Sequence, residues 1–313
     1  MRPNQLISRL SELRSGADGG LALLFLCALS DPQTVGEPPR QAHWPRIIQA
    51  PLEELGAAID RACAACLEQW PEQLEGFFAE LPLADERPMP LAAAIAAVEK
   101  AFAAAARDGR HPTILADIYQ ETRSLGTKQW QGAFFTPWEL ARLMAEIVGY
   151  PTGERWVLEP TVGGGALLIA YLSGYRERHG ARAARALTLI GVDIDARSCQ
   201  IARASLLIAG ADPNQFWIFH GDSLAQPIVG RDRRDGTLRH VQFDIPLANP
   251  PFGQKIPSGS LATAATRGPL EIPGAVLNRL IPRVSSDQSE TAAAAQTTPR
   301  RKPKAKRPRR KAA

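Results

Sequence analysis

From about residue 154 the chain alternates short β-prone runs with helical stretches: RWVLEP (155–160), ALTLIGVDID (186–195), FWIFHGD (216–222) and QFDIPLANPPF (242–252). Strands separated by helix-length connections build βαβ units, and such units pair in parallel. A parallel sheet of this kind carries its ligand groups at the carboxyl ends of its strands. Residues 1 to about 126 differ, being rich in Ala and Leu with prolines between the runs. The run PLAAAIAAVEKAFAAAARDG (90–109) has helical apolar spacing and a stop at Gly109. The expected fold class is therefore α/β: a mainly parallel, Rossmann-like sheet preceded by an all-helical N-terminal domain. The expected division is a helical domain over 1–126, a sheet-bearing core over 127–285 and a disordered basic tail over 286–313.

With 313 residues, 45% of them hydrophobic, the chain can bury one large core or two modest ones. The net charge of +5 is misleading. Residues 299–313, PRRKPKAKRPRRKAA, hold nine Lys and Arg and no acid, so the remainder nets −4. Such a run is usually a solvated face; it also suits sequence-independent contacts to nucleic-acid phosphates. Four cysteines in this length do not form a disulfide framework and suit a reducing cytoplasm. Cys63 and Cys66 have half of a zinc spacing with nothing to complete it, so helix packing is expected and no metal. LALLFLCALS (21–30) is too short to span a bilayer and reads as a buried helix, with no membrane association.

Each β-prone run ends in polar or glycine-rich residues. The first gives Glu159 and Pro160, then Gly163, Gly164 and Gly165 at a helix start, which is either a ligand cradle or a tight turn. The second gives Asp193, placed to accept ribose hydroxyls, and Asp195, which suits a helix N-cap better. The third gives Asp222, which can accept from an exocyclic amine. The fourth breaks on Asn249, Pro250, Pro251 and Phe252. Upstream, GAFFTPWELARLMAEIV (132–148) has Thr136 as N-cap, Pro137 at the first helical position and Glu139 three residues on, a capping box. Leu140, Leu143, Met144 and Ile147 then form one apolar face. The capping box leaves GAFF unexplained.

In this order, GAFFTP, LEPTVGGGALL, GVDID, HGDSL and NPPF resemble the gamma arrangement of S-adenosylmethionine-dependent N6-adenine DNA methyltransferases, most nearly the modification subunit of type I restriction-modification systems. ILADIYQETRS (114–124) stands where that subunit has an Asp-x-Tyr-Glu helix. The resemblance covers roughly residues 114 to 255. It makes 127–285 a SAM-binding methyltransferase core and implies an enzyme acting on adenine in DNA. By it, Thr136 holds the methionine carboxylate of the cofactor, and Glu159 with the backbone around Pro160, Gly163 and Gly165 holds the amino group. Asp193 takes the ribose and Asp222 the cofactor adenine. Glu159 stands where the family more often has Asp, and Gly164 where it has a hydroxyl.

The chemistry needs such a tetrapeptide because the adenine N6 lone pair is delocalised into the ring. The Asn249 side-chain oxygen and the Pro250 carbonyl, accepting from its two N–H bonds, turn that pair toward the methyl donor, and proline stiffens the loop. Phe252 stacks on a base that has left the duplex. The family's sheet has seven strands against four expected here, so the sheet is expected to be incomplete and C-terminally short, with no target-recognition domain. The alternatives are an inactive truncated relic that binds SAM or DNA, and a methyltransferase acting on glutamine or RNA bases. DNA is the expected partner, with a specificity or completing subunit and tail contacts to phosphates; the expected location is cytoplasmic. Pro246 falls inside the fourth strand, which places that strand at an exposed edge over 243–248.

Overall fold

The computed structural model describes residues 3–30, 43–78, 83–109, 113–126, 135–231, 236–250 and 268–272. The helices are α1 (Pro3–Leu10), α2 (Gly16–Leu29), α3 (His43–Ile48), α4 (Leu55–Gln69), α5 (Pro88–Arg107), α6 (Ile114–Gly126), α7 (Trp138–Val148), α8 (Ala166–His179), α9 (Ala181–Ala184) and α10 (Ala196–Ile208). The strands are β1 (Arg155–Glu159), β2 (Leu187–Asp193), β3 (Phe216–His220), β4 (Ile228–Arg231), β5 (Leu238–His240), β6 (Ile245–Pro246) and β7 (Leu270–Ile272).

The four expected strands form one parallel sheet in the order β3-β2-β1-β6. Its two faces read directly from the two-residue period of a strand. Val157, Leu189, Phe216 and Ile218 face a large core shared with the helices, while Trp156, Ile190, Trp217 and Phe219 face the other side. On the helical side the core runs without a break from Leu6 to Leu247. Helix α2 is buried from Gly19 to Leu29, as a helix that is apolar all round must be. Thus LALLFLCALS is a core helix. Helix α5 is long and apolar enough to cross a membrane by length and composition alone; here Leu91, Ala94, Ile95, Val98 and Phe102 are buried in the core. Cys63 and Cys66 are buried on α4, and burial pushes the Cys66 thiol up to about 12.

One expectation needs correction. Only four strands were expected, yet Leu270–Ile272 forms β7, parallel to β4, and β4 pairs antiparallel with β5. These strands have three or four residues each, too few for a visible period, and exist because pairing places Ile228 and Ile272 against the second face of the main sheet. The edge expected at 243–248 is present: β6 pairs with β1 alone among the described residues, and Pro246 is exposed. Having no N–H, Pro246 cannot donate to the ladder. Asp244 N–H bonds the Trp156 carbonyl at 2.9 Å and Leu247 N–H the Leu158 carbonyl at 2.8 Å, so the bonds skip the proline.

Candidate functional site

Because β1, β2, β3 and β6 are parallel and in register, their carboxyl ends lie along one rim: Glu159 is opposite Gly191, Asp193 opposite His220, and Leu158 opposite Pro246. Glu159 is only 2% exposed, and its Oε2 has no hydrogen-bond partner among the described residues. Burial pushes its carboxyl well above the usual range; a hydrogen bond from Leu168 opposes this and the nearby charge of Asp193 adds to it. An orphaned buried acid is costly and calls for a donor, preferably a cationic one.

The residues after Glu159 and Pro160 turn sharply into α8. Val162 N–H bonds the Val192 carbonyl at 2.8 Å, Gly165 N–H bonds the Val162 carbonyl at 2.8 Å, and Gly163 and Gly165 adopt φ of 49° and 87°. Those two positions need glycine for the turn. Gly164 needs it for another reason: a Cβ there would lie 2.3 Å from the Ala116 Cβ of α6. The loss of a hydroxyl at Gly164 therefore admits the close approach of a neighbouring helix. A Cβ on Gly163 would meet the Phe135 ring at 3.0 Å. Phe135 is the residue of GAFF that sequence reasoning left without a role; Gly132, Ala133 and Phe134 lie outside the described residues.

The Asp193 carboxylate is aimed by two backbone donors, Gly163 N–H to Oδ2 at 2.8 Å and Asp195 N–H to Oδ1 at 2.9 Å. Asp195 is the N-cap of α10: its side chain accepts from Ser198 N–H at 3.2 Å, from the Ser198 hydroxyl at 2.7 Å and from the Tyr119 hydroxyl at 3.2 Å. The cap role expected of Asp195 is therefore present. Gly221 N–H bonds the Asp193 carbonyl at 2.8 Å, which ties the end of β3 to the end of β2. Asp222 Oδ1 accepts from Leu224 N–H at 3.0 Å, closing a local turn. Ile194 and Leu224, 61% and 59% exposed, follow these two acids. Their signal in the sequence was an apolar residue just after an acid at a strand end, which is out of place on a solvated loop.

Asn249 Nδ2 donates to Thr136 Oγ1 at 3.1 Å. This bond joins the end of β6 to the segment before α7, 113 residues earlier, and leaves Oδ1 as the acceptor of the amide. It also corrects the capping expectation. The N-cap of α7 is Pro137, with no side-chain cap bond, and Thr136 lies one residue outside the helix with its hydroxyl engaged by Asn249. The apolar face of α7 is corrected too: Trp138, Ala141 and Ala145 are buried, whereas Leu140, Leu143 and Ile147 are exposed, Ile147 by 75%. Small alanines let α7 lie close to its neighbours, Trp138 and Met144 pack beside them, and Leu140, Leu143 and Ile147 point away. Pro250 ends the described part of the tetrapeptide; Pro251, Phe252 and the basic tail lie outside the described residues.

The rim thus holds two bonded groups, Gly163 with Asp193 and Thr136 with Asn249. Phe135 connects them, with its ring beside Gly163 and its backbone leading into Thr136. Comparison with known proteins gives a matching picture. Residues 112–267 match the model of the N-6 DNA methylase family. The type II methyltransferase M.VspI of Vibrio sp. (strain 343) is 29% identical over 164 residues, covering 50% of this chain and 35% of that protein. The type I restriction enzyme MjaVII methylase subunit of Methanocaldococcus jannaschii is 27% identical over 140 residues, covering 44% of this chain and 22% of that protein. The match thus spans about a third or less of these relatives. Among solved structures, the type I restriction-modification methyltransferase subunit of Streptococcus thermophilus aligns at a TM-score of 0.42 and 19% identity, over 82% of this chain and 64% of that one. A sheet rim with these groups, within the residues that match, leads to one assignment: the chain belongs to the N-6 DNA methylase family.

Proposed function

We propose that the chain transfers a methyl group from S-adenosylmethionine to the N6 amine of adenine in DNA. The observation that carries this reading is the Asn249–Thr136 hydrogen bond, which brings the first residue of Asn-Pro-Pro-Phe to the Thr-Pro element on the rim that also holds Glu159 and Asp193.

The residues fit the cofactor. The orphaned Glu159 Oε2 suits an ammonium group, and the tight turn at Gly163 and Gly165 lies just beyond it in the chain. The Asp193 carboxylate, already oriented by two N–H donors, suits the ribose hydroxyls. Asp222 suits the cofactor's exocyclic amine, and Ile194 and Leu224 offer it an apolar flank. Thr136 can serve both neighbours, since its oxygen accepts from Asn249 while its own hydrogen remains to donate to a carboxylate. S-adenosylmethionine supplies an activated methyl whose departure leaves a neutral thioether, so no general acid is required.

The protein's own work is orientation. With Nδ2 held by Thr136, Asn249 presents Oδ1 to one N–H of the target amine, and the Pro250 carbonyl takes the other. Two acceptors localise the nitrogen lone pair on the side away from them, toward the methyl. Phe252 stacks on the extruded base, which costs a few kcal/mol to unstack. The partner is DNA in the cytoplasm. A restriction-modification role with a specificity or completing subunit follows from the likeness to the type I methylase subunit of M. jannaschii, and the basic residues 299–313 add phosphate contacts. The test is transfer of a tritiated methyl from S-adenosylmethionine to duplex DNA, followed by nucleoside chromatography. Label co-migrating with N6-methyl-2′-deoxyadenosine is expected; label in protein, RNA or another nucleoside, or none at all, overturns the reading.

A further inference from the structure

Thr136 lies in residues 135–137, which belong to no helix or strand, so its backbone is not held by a ladder. Gln120 on α6 supplies the missing hold: its Oε1 accepts from Phe135 N–H at 2.8 Å. Helix α6 is itself fixed against the rim in two further ways. Ala116 sits where a Gly164 side chain would be, and the Tyr119 hydroxyl donates to Asp195 Oδ2 at 3.2 Å. The Tyr119 and Phe135 ring centroids are 6.0 Å apart. One helix thereby reaches the glycine loop, the end of β2 and the segment that carries Thr136.

We infer that Gln120 is a positioning residue for methyl transfer: by holding Phe135 N–H it aims the Thr136 hydroxyl, which in turn keeps the Asn249 amide turned with Oδ1 available to the target amine. The inference rests on the proposed methylation. Its geometry does not, because the chain of contacts Gln120–Phe135–Thr136–Asn249 can be followed without substrate. What the position requires is an acceptor on a side chain of glutamine's reach. Glu meets that requirement and Met, of similar shape, does not.

The full chain contains four asparagines, Asn4, Asn214, Asn249 and Asn278, so selective 15N-asparagine labelling gives four side-chain amide pairs. The pair lost in Asn249→Asp identifies Asn249. The expected result is that Thr136→Ala and Gln120→Met displace this pair while Gln120→Glu leaves it in place. At saturating S-adenosylmethionine and DNA, kcat should fall about 10- to 100-fold in Gln120→Met. It should stay near the parent in Gln120→Glu, and Gln120→Met should cause no further loss in a Thr136→Ala background. An unmoved Asn249 pair in folded Gln120→Met, equal displacement by Gln120→Glu, or multiplying losses in the double variant would overturn the inference. If Gln120→Met does not fold, Gln120→Leu makes the same comparison. A wild-type chain that transfers no methyl to DNA would defeat the proposed function, and the amide spectrum would still decide the role of Gln120.

Discussion

Glu159 and Asp193 end β1 and β2, each of which has a strand on both sides, whereas Asn249 lies three residues beyond β6, a two-residue strand at the sheet edge among the described residues. The first pair is embedded: Glu159 is buried, and both oxygens of Asp193 receive backbone N–H groups. The second region depends on one side-chain bond to Thr136 and on a ladder that skips Pro246. On the proposed reading, grip on the methyl donor lies in the middle of the sheet, and aim at the target amine at its margin. Binding and chemistry should be separable by substitution.

The largest separation is expected at Asn249. Asn249→Ala removes one of two acceptors from the reacting nitrogen and should lower the rate of methyl transfer by about 10²- to 10³-fold, as loss of one preorganised hydrogen-bonding group does. Single-turnover rates measure this, and a rate within tenfold of the parent would erase the distinction between the two regions. On the embedded side, Glu159→Ala should weaken S-adenosylmethionine binding by about 10- to 100-fold, the worth of a charged hydrogen bond of roughly 1.5–3 kcal/mol. Equilibrium dialysis reads it, and an unchanged Kd would remove Glu159 from the cofactor site.

Glu159 also sharpens the comparison through pH. Burial raises its folded-state carboxyl above the ordinary value of 4.5, so the folded chain keeps a proton that the unfolded chain has lost. Stability therefore falls as pH rises from about 4.5 toward the raised value. Thermal melts of the unliganded protein should show this slope, and Glu159→Gln should flatten it. A cationic ligand reverses the preference, so S-adenosylmethionine affinity should rise over the same window. Parallel melting curves for parent and Glu159→Gln would contradict both.

Smaller effects test the packing. Gly164→Ala puts a methyl 2.3 Å from the Ala116 Cβ and should cost about 1–3 kcal/mol in denaturant unfolding as α6 is pushed from the rim. Ile147→Lys, on the exposed side of α7, should change stability by no more than about 0.5 kcal/mol. A large loss there would mean that the face is covered in solution.

The central region was legible because β1, β2, β3 and β6 have apolar runs ending in acids or asparagine, and because α10 begins at an N-cap Asp195 that the sequence marks plainly. The margins were less so. Strands β4, β5 and β7 come from pairing across the chain, which three or four residues cannot announce. Thr136 carries a full set of local capping signals, yet a partner 113 residues away takes its hydroxyl and shifts the cap to Pro137. The apolar period of α7 was visible, but the period alone did not tell that Ala141 and Ala145 are the side that packs. Gly164 looked like a lost hydroxyl until Ala116 was seen beside it. Each shortfall involves a tertiary neighbour that local sequence does not contain.

Isothermal titration of the chain with S-adenosylmethionine tests the shared rim most directly. One site per chain is expected, retained in Asn249→Ala and lost in Asp193→Ala. No heat with the parent protein, or binding indifferent to Asp193, would contradict the account.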